Sequence, residues 1–85
     1  MTTSDKIHKD KKSYDVDKTV IENHRKVANH LDKAAKYHLE AANLHEDGHH
    51  IKAAQSIIAA QGHLLIADEN QQEIVRLHAL QNKID

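Results

Sequence analysis

The sequence predicts an all-α protein: an antiparallel two-helix hairpin that pairs with a second copy into a four-helix bundle homodimer. Three observations carry that prediction. Proline is absent and only two glycines occur in 85 residues, so almost nothing interrupts a helix. A seven-residue unit recurs between 27 and 47 as VANHLDK, AAKYHLE and AANLHED; a seven-residue apolar period on alanine-rich sequence marks a helix with a coiled-coil-like seam. Gly48 then divides the periodic region into two nearly equal parts. Helices of similar length joined by so short a link must fold back on each other.

Residues 1–15 are polar and lysine-rich, without an apolar period, and read as a mobile tail. The hairpin takes 16–85. Helix one is predicted over about 19–47, where Thr19 and Glu22 have the spacing of a capping box; a start at Asp15 or Asp17 is equally compatible. Its predicted seam runs through Val20, His24, Val27, Leu31, Ala34, His38, Ala41 and His45. Gly48 ends the helix by taking the left-handed backbone conformation.

Helix two is predicted over about 49–83, with His50, Ala53, Ile57, Ala60, Leu64, Ala67, Gln71, Ile74 and His78 on the seam. Gly62 lies inside it at a cost of about 1 kcal/mol relative to alanine, explained either by close helix contact or by a bend. Beside the seam runs a second apolar strip, Ile51, Ala54, Ile58 and Leu65. One hairpin partner cannot cover both, and a lone hairpin with so few large apolar side chains is marginal in water. The strip is therefore the predicted interface of the homodimer.

Several function classes are set aside by composition. A formal net charge of -1 gives no reason to expect nucleic acid or an anionic membrane as partner. No cysteine means no disulfide framework and no thiolate chemistry. MTTSDKIHKDKKSYDVDK has no apolar core of a secretory signal, and no apolar run approaches membrane-spanning length. The expected compartment is cytoplasmic. Ser56 has no histidine–acid arrangement near it in sequence, so nothing supports nucleophilic catalysis, and the protein is expected not to be an enzyme.

Leu44, Gly48, Ala53, Ile57 and Ala60 match one tetratricopeptide-like helix pair, about a third of the chain. Over residues 27–80 the chain more closely resembles a group of small histidine-rich bacterial helical-hairpin proteins with no settled biochemical role. Their pattern of alanine pairs followed by histidines, a glycine turn and an Ala-His-Gly-His segment is met by His30, His38, His45, Gly48, His50, Gly62 and His63. Leu31, Leu44 and Gln61 depart from it, and His49 replaces the turn aspartate. What the resemblance implies is the helical hairpin.

Nine histidines are the feature that asks for chemistry. A metal ion needs ligands about 2.0–2.1 Å away, and on one helix only residues three or four apart share a face within a turn. His38 and His45 are seven apart, about 10.5 Å of rise, and cannot chelate together. The turn is different. His45, His49 and His50, with Glu46 and Asp47, form a cluster of nitrogen and oxygen donors suited to zinc, copper or nickel. The same residues also read as a plain turn, with Gly48 as cap and His45 favoured by the negative end of the helix dipole. An inter-subunit site using His30 and His38 is the other arrangement open to a dimer.

Three functions follow as expectations. The first is a helical interaction or assembly module, the second a histidine-based binder or buffer of a divalent transition metal. The third is a pH-responsive bundle whose seam histidines become charged in acid.

Overall fold

The chain reverses at Gly48, whose φ of +81° is the only positive value among the described residues. The glycine N–H donates to the carbonyl of His45 at 3.1 Å, and the His49 N–H donates to that of Leu44 at 2.8 Å. This pair of bonds satisfies the carbonyls a helix end leaves open, and it requires the left-handed residue that glycine supplies without a Cβ clash. His49 is the first half-residue of the next helix, its carbonyl accepting from the Ala53 N–H at 3.0 Å.

In the computed structural model, which describes the backbone of residues 3–84 and the side chains of residues 15–80, two helices result. They are α1 (Thr3–Glu46) and α2 (His50–Ile84), packed against each other as a hairpin. α1 starts earlier than the sequence predicts, running through the stretch read as a polar tail. No glycine or proline precedes Gly48, so nothing stops the helix upstream. Thr19 accordingly caps nothing. Its hydroxyl donates to the carbonyl of Asp15 at 2.9 Å, the back-bond of a threonine inside a helix.

The hairpin measures 66 × 20 × 11 Å. At 1.5 Å per residue, the 44 residues of α1 account for the whole long axis, about 66 Å. A radius of gyration of 19.4 Å compares with about 12 Å for a compact chain of this length, so the core is a line. Val20, Val27, Ala34 and Ala41 of α1 face Ala53, Ala60, Ala67 and Ile74 of α2. Bulk is concentrated at the open end, where Val20, Val27, Ala67 and Ile74 cluster with Val16 and Leu77 packed against them. Alanines occupy the turn end. Ala53 and Ala60 are 0% exposed.

Half of the predicted seam is corrected. The heptad row of each helix is buried as expected, but its companions lie three residues beyond each row member. Asn23, His30, Tyr37 and Leu44 turn inward on α1, and Ser56, His63, Asn70 and Leu77 on α2. His24, Leu31, His38, His45, His50, Ile57, Gln71 and His78 are exposed; Leu64 is partly buried. The positions three and four residues on lie on opposite flanks of the row, about 100° apart, and the partner helix covers one flank more than the other. Gly62 is also corrected. A Cβ built there meets nothing within 4 Å, so no close helix contact calls for it, and α2 passes through it without interruption.

Candidate functional site

The inward flank brings histidines together. His30 of α1 and His63 of α2 are both half-buried, and their Nδ1 atoms stand 2.8 Å apart. The ring centroids are 5.1 Å apart, with 26° between planes. Rings packed face to face keep their atoms about 3.5–4.0 Å apart, so these two meet edge to edge, nitrogen towards nitrogen. The ring of Tyr37, one turn beyond Ala34, lies alongside His63 with centroids 5.7 Å apart and planes 14° from parallel.

A second pair closes the turn. The Nδ1 atoms of His45 and His50 are 2.7 Å apart, the rings 5.0 Å apart and tilted by 38°. Both rings are exposed. His45 sits in the last turn of α1. In each pair one ring donates its Nδ1–H and the other accepts with its lone pair. One proton is thus shared between two identical ligating atoms.

Of the turn residues singled out from sequence, the structure joins His45 and His50. Glu46, Asp47 and His49 are exposed, and among the described residues no group of three or more histidine, cysteine, aspartate or glutamate side chains converges on one point. His30 pairs with His63 within the hairpin, while His38 is exposed. The acid-responsive seam, built on His24, His38 and His78, loses those residues to solvent.

His63 was absent from the sequence-based site. The signal existed: like His30, it stands three residues after a buried alanine or valine of its row. Only the choice of flank hid it.

Ser56, 5% exposed, donates its hydroxyl to Oε1 of Glu40 at 3.1 Å. This bond bridges the helices and leaves the hydroxyl satisfied at a crowded seam position.

The predicted interface strip is solvent-exposed within one hairpin: Ile51 80%, Ile58 71% and Leu65 60%, with Ala54 exposed between them. No helix among the described residues is long and apolar enough to cross a membrane.

No protein-family model, no curated protein and no solved structure matches the chain.

Proposed function

We propose that the hairpin is a non-enzymatic assembly module that pairs with a second copy into a four-helix bundle through the α2 strip. One observation carries the proposal: Ile51, Ile58 and Leu65 lie uncovered on a chain whose own core is largely alanine. Each large aliphatic side chain taken from water contributes about 1.5–3 kcal/mol, a large part of the stability of so thin a domain. The strip is also symmetric about its centre. Ile51 and Leu65 each lie seven residues from Ile58, so an antiparallel two-fold through Ile58 sets Ile51 of one copy against Leu65 of the other. That self-complementarity is what a two-fold interface needs, and it favours a second copy over an unrelated partner.

Sedimentation equilibrium at tens of micromolar is expected to give a dimer, and the melting temperature is expected to rise with protein concentration. Ile58→Glu places a charge at the two-fold and is expected to give monomer with helix content retained. A wild-type monomer with a concentration-independent melt overturns the proposal.

A second reading is favoured by the His45–His50 pair: binding of zinc, copper or nickel at the turn. Two ligating nitrogens already stand together there, and Glu46, Asp47 and His49 are sequence neighbours able to add donors. Calorimetric titration of the chelator-stripped protein tests it, with His45→Ala and His50→Ala each expected to weaken binding.

A further inference from the structure

The more enclosed of the two imidazole pairs is not at the turn. We infer that His30 and His63 form a clasp in which a divalent transition-metal ion replaces the proton shared by the two rings and ties α1 to α2. A metal here presupposes the imidazole–metal chemistry proposed for the turn, but uses its own residues and has its own consequence, coupling metal to the fold.

The two ligands come from different helices, 33 residues apart, with Nδ1 atoms 2.8 Å apart. Both rings are half-buried, and Tyr37 lies against His63, so the pair is better held than the exposed pair at the turn. With bonds of about 2.0–2.1 Å, two nitrogens at right angles about an ion stand roughly 2.9 Å apart, and at a tetrahedral angle roughly 3.3–3.4 Å. Both spacings lie within about 0.6 Å of the hydrogen-bonded one, so the pair can close on copper(II), nickel(II) or zinc(II), with copper(II) held tightest by the general affinity order of divalent ions. The rings now point at each other, so each must swing to aim its lone pair at an ion beside the line between them. The ring torsion of histidine is broad and allows this. From a neutral pair the donor ring passes its Nδ1 proton to Nε2 through water. Both Nδ1 lone pairs are then free for the ion, with no net change in protons.

An open groove of about 460 Å³ runs beside His63, lined also by Lys33, Lys36, Tyr37 and Glu40, and has room for water to complete the coordination. Lys33 and Lys36 oppose a cation there. Lys36 is engaged by Asp32 at 3.0 Å, both side chains being well exposed, so water screens much of that repulsion.

The site exists only when the hairpin is closed, so bound metal must stabilise the fold. At one hundred times the dissociation constant, the ratio of folded to unfolded chains rises about 100-fold. The experiment uses the full chelator-stripped chain with copper(II), nickel(II) or zinc(II), reading both calorimetric stoichiometry and the metal-induced rise in melting temperature. His45→Ala/His50→Ala is expected to keep one equivalent and the melting shift, strongest with copper(II). His30→Gln and His63→Gln, which retain hydrogen-bonding groups and so a folded hairpin, are expected to lose both in that background. If the turn variant binds no metal while the wild type does, the clasp is refuted and the turn reading stands. If the clasp variants alone abolish binding, the turn reading fails and the clasp stands. No binding by the wild type overturns both, leaving His30 and His63 a plain hydrogen-bonded pair. A shift that survives His63→Gln also overturns the clasp.

Discussion

The two glycines play opposite parts. Gly48 holds a left-handed φ that an L side chain enters at roughly 1–2 kcal/mol, and the bonds closing α1 depend on it. Gly62 sits in ordinary helical backbone with open space around it, so it gives up helix stability for no contact. Gly62→Ala is expected to raise stability by about 0.8–1 kcal/mol, and Gly48→Ala to lower it by about 1–2 kcal/mol, as urea unfolding would measure. A destabilising Gly62→Ala would mean that something packs on that face, such as a second hairpin. Among histidines the same contrast holds. His24, His38 and His78 face water, whereas His30 and His63 face each other. Residue type alone does not separate them; position relative to the buried row does.

At the scale of the elements, the helices and their turn were legible because their causes are local. An unbroken run of helix formers, a seven-residue period and one glycine are enough to specify α1 from about residue 19, the reversal and α2; the earlier turns of α1 carry no apolar period and were read as tail. The heptad rows were legible too, since every member of Val20, Val27, Ala34 and Ala41, and of Ala53, Ala60, Ala67 and Ile74, is buried. The buried flank was not. On α2 the apolar residues Ile57 and Leu64 argue for one side, yet the structure buries Ser56 on the other and leaves Ile57 exposed, with His63 and Leu64 both half-buried. Ile57, at 40% exposure, then extends the uncovered apolar surface of α2. Substitutions distinguish the flanks. Ile57→Ala is expected to cost on the order of 1 kcal/mol or less, where a fully buried isoleucine would cost about 2–5 kcal/mol. Ala60→Leu, at a position with no exposure, is expected to cost at least about 1–3 kcal/mol by forcing the helices apart. Thermal melts of the two variants measured in parallel would check the order, and a larger loss for Ile57→Ala would reverse the assignment.

For the whole molecule, a rod 66 Å long and 11 Å across its thinnest direction cannot enclose a large side chain, and among the described residues none is fully buried. Large apolar side chains are exposed on both helices, Leu39 of α1 and Val75 of α2 among them; the α2 strip is the set with regular spacing, and the proposed two-fold through Ile58 has a geometric consequence. A cysteine at the dyad meets its own copy, whereas residues seven positions away are carried about 21 Å apart between copies. Disulfides need Cα atoms about 4.4–6.8 Å apart. Ile58→Cys is therefore expected to give a covalent dimer on mild oxidation, and Ile51→Cys alone is not. Ile51→Cys with Leu65→Cys in one chain is expected to cross-link again, as non-reducing electrophoresis would show. Equal cross-linking at Ile51 and Ile58 would refute the antiparallel two-fold.

The all-α class, the site of reversal, the two buried rows and the exposed strip on α2 can be read from the residues alone, because helix propensity, glycine conformation and heptad period act over neighbouring residues. Which flank of each row turns inward, and with it the pairing of His30 with His63 across 33 residues, is settled by how the two helices pack. The physical reason is angular. Positions three and four residues along a helix flank the same row at nearly equal angles, so the choice between them belongs to the side on which the partner helix lies.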